Sequence, residues 1–221
     1  HCHKCENNET KIQVLKRKFV ATAIKTVANV LCACSVNSAH YLFGNDKSVF
    51  IIKNAIDTEK FSFNSEIRDI VRTQLGVKNE LVIGHIGNFS PEKNHAFLIE
   101  VFEEMSKKDS NLLLVLIGEG ENYEKIKRIV SDKPLICSRV MFLGTISDVS
   151  RYYNAFDVFV FPSLSEGFGM AILEAESMGL PILVSDEIHS EACIDGLCNK
   201  ISLMAPVRMW ADTVCSIIGS T

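Results

Sequence analysis

An α/β fold built on a doubly wound parallel sheet follows from three features of this sequence. Short apolar, β-branched runs recur, as at Leu81–Ile86, Leu112–Ile117 and residues 157–161; each ends in a turn; and each turn opens a stretch with helical periodicity. Such alternation implies parallel strands joined by crossover helices, with ligands bound beyond the carboxyl ends of the strands. With 221 residues, 47% of them hydrophobic, the chain can bury one full domain and part of another. Its 23 basic and 27 acidic residues give a formal charge of -4, so the overall balance offers no case for nucleic acid as a partner.

The chain opens on His1-Cys2-His3-Lys4-Cys5, without Met, and is expected to be a fragment. Over residues 10–29, Leu15, Phe19, Ala23 and Val27 recur with Val20 and Ile24 alongside, while Lys16, Arg17, Lys18 and Lys25 take other faces, which predicts an amphipathic helix. Its basic face could rest on anionic lipid, but a charged face is more often simply solvated. Residues 30–35 read as a strand, 37–43 as a helix and 48–52 as a second strand leading into Asn54-Ala55-Ile56-Asp57. The polar stretch 58–65 has no periodicity and reads as a linker, so residues 1–57 end one domain and 66–221 form another.

After the linker, residues 66–75 read as a helix and Leu81–Ile86 as a strand ending in Gly87-Asn88-Phe89-Ser90-Pro91-Glu92-Lys93-Asn94. Residues 94–107 form a helix whose stripe of Phe97, Leu98, Val101, Phe102 and Met105 is core. Leu112–Ile117 is a strand that ends at Gly118-Glu119-Gly120, a weak signal by itself. Helix 121–130, strand 140–143, the turn Gly144-Thr145-Ile146 and helix 149–155 follow.

The most informative stretch, residues 161–186, reads FPSLSEGFGMAILEAESMGLPILVSD. A buried strand ends at Pro162-Ser163, Glu166-Gly167-Phe168-Gly169 turns the chain, Met170 to Met178 is made of good helix formers, and Gly179 and Pro181 stop the helix before Ile182-Leu183-Val184. Backbone N–H groups and the positive end of the helix dipole at residues 167–170 favour a phosphate. Ionised carboxylates only accept hydrogen bonds, so the flanking Glu166 and Glu174 call for hydroxyl donors rather than phosphate. Glu174 lies roughly 7 Å along the helix from Gly169, about the reach from a diphosphate to its ribose. The pair alone would fit solvated helix carboxylates equally well.

Glu-x7-Glu enclosing Gly-Phe-Gly, with Pro-Ser ahead and Gly-x-Pro behind, resembles the nucleotide-binding signature of the retaining glycosyltransferases of family 4, of the capsule and exopolysaccharide type. Gly-x-x-x-Pro-x-Lys-Asn, here from Gly87 to Asn94, resembles the second signature of that family, and His1-x-His3, Ala33-Cys34-Ser35 and Asn54-Ala55-Ile56-Asp57 resemble the end of its first domain. The resemblance implies a GT-B architecture of two Rossmann-like domains. It implies transfer of a sugar from a nucleotide-diphosphate donor, UDP-linked, to a saccharide or lipid-linked acceptor with retention, in surface polysaccharide synthesis. By it, Glu166 meets the donor sugar, Glu174 the ribose and Lys93 the diphosphate; Gly87, Asn88, Gly118, Gly167, Phe168, Gly169 and Met170 line the donor site, Ile146 rests near the base, and His3 faces the acceptor side.

Two departures stand out: Lys53 where relatives carry Pro, and Asn88 where they carry Arg, which removes a charged bidentate donor. Two alternatives therefore remain, a sugar-nucleotide epimerase of the same architecture and a nucleotide-binding chain without turnover.

No Asp-x-Asp occurs, so no metal or other cofactor is expected beside the donor. The Cys2-x2-Cys5 pair lacks a second pair at zinc spacing, since Cys32-x-Cys34 is too close; the remaining cysteines are scattered, as reduced thiols would be. His85 and His95, on either side of the Lys93 turn, read as packed or surface histidines. No secretory signal is found, and the longest apolar stretch, around residues 20–36, is broken by Lys25 and Asn29. The expected location is the cytoplasm, with peripheral contact on the inner face of the membrane as a secondary reading.

Overall fold

The computed structural model describes residues 11–46, 48–166, 168–188, 193 and 196–219. They form two compact units: the chain up to Ala55 with Ser165–Met170, and Ile56–Leu164 with the chain from Ala171 onward.

In the first unit, α1 (Lys11–Val27) precedes β1 (Leu31–Ala33), α2 (Val36–Phe43) and β2 (Val49–Ile51), and the two strands pair in parallel from Leu31↔Val49 to Ala33↔Ile51. Ser35 caps α2 by accepting from the N–H of Ser38 at 3.1 Å. Lys25 pairs with Asp46 at 2.8 Å. Among the described residues of the α1 stripe, Leu15, Phe19 and Val27 are 71%, 75% and 81% exposed. No described helix is long and apolar enough to cross a membrane.

The stretch expected as a linker is ordered into a turn. Asp57 accepts from the N–H groups of Glu59 and Lys60, Phe61 is buried against Tyr153 at 5.9 Å between ring centroids, and Asn64 caps the next helix by accepting from the N–H groups of Glu66 and Ile67.

The second unit then runs α3 (Ser65–Gln74), β3 (Leu81–Ile86), a 3-10 turn (Pro91–Lys93), α4 (His95–Ser106), β4 (Leu112–Ile117), α5 (Tyr123–Ser131), β5 (Val140–Phe142), α6 (Ser150–Tyr153), β6 (Val158–Phe161), α7 (Met170–Ser177), β7 (Ile182–Ser185), β8 (Cys198–Ile201) and α8 (Val207–Gly219). The six strands form one parallel sheet in the order β5-β4-β3-β6-β7-β8. Numbered from β3, this is the order 3-2-1-4-5-6, whose winding reverses between β3 and β6.

Both faces of the sheet are buried, as a parallel sheet requires. Strand residues alternate between two cores: Ile83, Leu114, Leu116, Val158, Val160 and Leu183 point toward α4, α5 and α8, whereas Val82, Val115, Ile117, Phe159, Phe161, Ile182 and Val184 point toward α3, α6 and α7. Within the first core, α8 lies on α4, with the fully buried Trp210 edge-on to Phe97 at 5.3 Å and its indole N–H donating to Ser202 O at 3.0 Å. In the second, Arg68 and Arg72 fasten α3 to the entrance of β6 through the carboxylate of Asp157, which also accepts from the Val82 N–H at 2.7 Å.

At the seam between β3 and β6 the strands pair only through Ile83↔Val158 and Gly84↔Phe159. A Cβ on Gly84 would collide with the ring of Phe156. Gly84→Ala is therefore expected to destabilise the unit by about 1–3 kcal/mol through overpacking. Equilibrium denaturation measures this, and a loss below about 0.5 kcal/mol would mean that Phe156 has room to retreat.

Candidate active site

The carboxyl ends of β3, β4 and β5 are tied to one another by their turns. Gly87 donates to Ile117 O, Phe89 to Glu119 O, Asn122 to Phe89 O, Leu143 to Leu116 O and Gly118 to Gly144 O, all through backbone N–H groups at 2.9–3.0 Å. Such close approach leaves no room for side chains: a Cβ on Gly118 would strike the carbonyl of Gly87, and one on Gly120 would strike Asn88 Oδ1. The pair of glycines at 118 and 120, weak as a sequence signal, is thus set by the meeting of two turns. Gly87, Asn88 and Gly118 come together here, with Asn88 exposed and Gly87 and Gly118 half-buried. Ile146 follows the β5 turn and packs, half-buried, at the margin of the second core.

Lys93 closes the 3-10 turn after β3. The next residue, Asn94, has φ 55° and ψ 40° and is the one non-glycine with positive φ among the described residues. Asn tolerates that region better than most residues, which gives the Lys-Asn of the motif a backbone reason: Asn94 ends the turn and starts α4. The Nζ of Lys93 stands 4.4 Å from the centroid of the Phe161 ring at the end of β6. Leu164 N–H donates to Glu92 O at 2.7 Å, which joins the same turn to the chain leaving β6. Lys93 therefore lies at the seam where the winding reverses, the place where doubly wound sheets bind ligands.

His85 is wholly buried beneath this turn. Its Nδ1 is 2.9 Å from Val160 O, so Nδ1 carries the proton and donates, and Nε2 is left as an acceptor without a hydrogen bond among the described residues. Burial pushes its pKa down to about 4, against the hydrogen bond to Val160 and with the nearby Lys93 charge adding to the fall. His95 lies edge-on to it at 4.7 Å and stacks on Phe89 at 3.9 Å; burial, then His85 and Lys93, lower its pKa as well. Of the two readings the sequence left open, packed or surface, both histidines are packed, and burial favours their neutral form.

Glu174 occupies the second turn of α7 and is half-buried. The hydroxyl of Tyr153, itself buried, donates to Glu174 Oε2 at 2.8 Å and lies 3.0 Å from Ala171 O. Burial raises the Glu174 pKa, opposed first by the Tyr153 hydrogen bond and then by the charge of Lys60. This is not a solvated helix carboxylate: one oxygen is held, and the group is oriented. Tyr153 was not singled out from the sequence, since a tyrosine 21 residues before a glutamate carries no local signal.

Glu166, Phe168, Gly169 and Met170 fall in Ser165–Met170, the segment that groups with the first unit. Gly169 has φ 77°, as a glycine turn into α7 requires, and Glu166 and Phe168 are half-buried. Gly167, His3 and the cysteines at positions 2 and 5 lie outside the described residues. Among the described residues no three of His, Cys, Asp and Glu gather into a set that could hold a metal ion.

Residues 80–220 match the model of the family described as glycosyl transferases group 1. The chain is similar to EpsF of Bacillus subtilis (strain 168), named as a glycosyltransferase, with 35% identity over 92% of this chain and 53% of that protein. It is also similar to the UDP-Gal:alpha-D-GlcNAc-diphosphoundecaprenol alpha-1,3-galactosyltransferase of Escherichia coli, with 30% identity over 80% of this chain and 49% of that enzyme. The chain thus spans about half the length of these relatives. Among solved structures, HepE of Anabaena in complex with UDP superposes with a TM-score of 0.81 over 100% of this chain and 62% of that chain, at 20% identity, a likeness of fold that agrees with the GT-B architecture. The match over most of the six-stranded unit establishes that the chain belongs to the glycosyl transferases group 1 family.

Proposed function

We propose that this chain carries the donor-binding half of a retaining glycosyltransferase of family 4, moving a hexosyl group from a UDP-sugar to a saccharide or lipid-linked saccharide acceptor in surface polysaccharide synthesis. The observation that carries this reading is the position of Lys93 at the seam between β3 and β6, where its ammonium can meet a diphosphate. The UDP in the HepE complex and the UDP-sugar and lipid-diphosphate in the name of the E. coli galactosyltransferase support the choice of donor and acceptor class.

In this reading Lys93, the N-terminus of α7 and the turn 167–170 take the diphosphate, and Gly87, Asn88 and Gly118 bring backbone close to it. Glu174, held by Tyr153 on one oxygen, offers the other to the ribose hydroxyls. Glu166 meets the donor sugar, Ile146 lies beside the base and His3 faces the acceptor. Catalysis then rests on positioning the two substrates and on stabilising the charge of the departing diphosphate. The reaction would take place on the cytoplasmic side, in peripheral contact with the membrane that holds a lipid-linked acceptor.

The helix dipole and Lys93 supply the positive potential without a divalent ion. UDP is therefore expected to bind the chain in EDTA with an affinity that added magnesium or manganese changes little; calorimetry that detects binding only with the metal would overturn this account. Glu174→Ala is expected to weaken UDP by about 1–3 kcal/mol, through loss of charged hydrogen bonds to ribose. The same substitution should leave free diphosphate unaffected, and an unchanged UDP affinity would remove Glu174 from the site.

Asn88 is exposed at the turn, so a longer cationic side chain can be accommodated there. Asn88→Arg is expected to tighten UDP about tenfold, in line with a charge-assisted hydrogen bond. Weaker binding in that variant would show that Asn88 belongs to a differently arranged turn.

A further inference from the structure

The ammonium of Lys93 sits at the end of a flexible four-carbon stem, and such a stem loses much freedom when it is held against a ligand. The structure contains a device that would reduce that loss. The Phe161 ring lies 4.4 Å from Lys93 Nζ, and the ring of His85 stacks on Phe161 at 5.3 Å with an interplanar angle of 25°. His85 is itself pinned by its Nδ1–H to Val160 O at 2.9 Å, across the seam where the backbone ladder of β3 and β6 has ended. Beside it, the point where a Cβ on Gly87 would lie is 3.2 Å from His85 Nε2 and 3.5 Å from Cδ and Cε of Lys93. The lysine stem therefore runs along the bare face of Gly87 to the aromatic ring.

We propose that Phe161, packed against the imidazole of His85, is a positioning residue for Lys93: its ring holds the ammonium at the seam between β3 and β6, ready for the diphosphate of a nucleoside diphosphate. This rests on the reading of Lys93 given above. A cation is attracted to the negative face of an aromatic ring, and the attraction grows where water is partly excluded. The imidazoles packed around this contact must be neutral for it to work, because an imidazolium beside Phe161 would repel the lysine. Burial keeps both His85 and His95 in the neutral form at neutral pH. The ring is also core, fully buried against Phe159 and His85, so its orientation is set by packing rather than by the ligand.

A double-mutant cycle on the 221-residue chain, read by calorimetry with UDP, tests this. Lys93→Met is expected to weaken UDP about tenfold or more, and Phe161→Leu about three- to tenfold, the size expected for a cation–ring contact. In the Lys93→Met background, Phe161→Leu should then cost less than about twofold, because a residue acting through Lys93 has nothing left to position. Phe161→Tyr, which keeps the ring face, should restore most of the affinity, and UMP, which lacks the second phosphate, should be nearly insensitive to all three changes. Thermal melting checks that each variant folds; if Phe161→Leu does not, Phe161→Met is read in its place. If Phe161→Leu costs the same with and without the lysine, the effect is structural and the positioning role is overturned. If Lys93→Met alone leaves UDP affinity unchanged, the diphosphate role of Lys93 falls first, and the positioning role with it.

Discussion

The seam between β3 and β6 is the constraint on which the second unit depends. The two strands share only two residue pairs, and one of these requires Gly84, whose missing side chain leaves room for Phe156. Past that point the two strands pair no further, and the Val160 carbonyl accepts from the Nδ1–H of His85. A buried carbonyl without a donor is costly, so the histidine satisfies an acceptor that the β3–β6 ladder leaves. The same side chain stacks on the Phe161 ring that Lys93 meets.

The site grows from this seam by close contact between backbones. Turns following β3, β4 and β5 are joined by N–H to carbonyl bonds, and glycine at 118 and 120 lets them meet. The interlocked turns approach through backbone, with Asn88 exposed at their surface and Lys93 at the end of the 3-10 turn. The departure at Asn88 fits into this arrangement without disturbing it: the residue is exposed and its Oδ1 packs over Gly120, so the turn keeps its shape while the charge of an arginine is absent.

On the other flank, Glu174 shows how burial and orientation come together. Its carboxyl is partly withdrawn from water, which raises its pKa, and the Tyr153 hydroxyl compensates by donating to one oxygen. Tyr153 in turn is packed against Phe61, Phe156 and Phe159, so a chain of aromatic contacts ties the acid to the turn at residues 57–64 and to the sheet. The segment that reads in sequence as a linker thus contributes Phe61 to the support of a site residue.

The sequence by itself determined the kind and order of the elements, because helical and strand periodicity are local properties of residues a few positions apart. Leu81–Ile86 and Leu112–Ile117 are where their apolar runs place them, the stripe of α4 is core, and the two signatures mark Lys93 and Glu174. The elements after residue 186 are not read from the sequence: α8 buries Trp210, Ala211 and Val214, and β8, with Asn199 and Lys200 in its middle, becomes a strand through pairing with β7. The tertiary structure alone decided the strand order, the pairing of Tyr153 with Glu174, and the meeting of Phe161 with Lys93 and His85. Each depends on residues far apart in the chain, such as His85 and Val160 at a separation of 75, meeting across a sheet. Local periodicity says which face of a strand is buried, but which neighbour buries it is settled only when the whole sheet assembles.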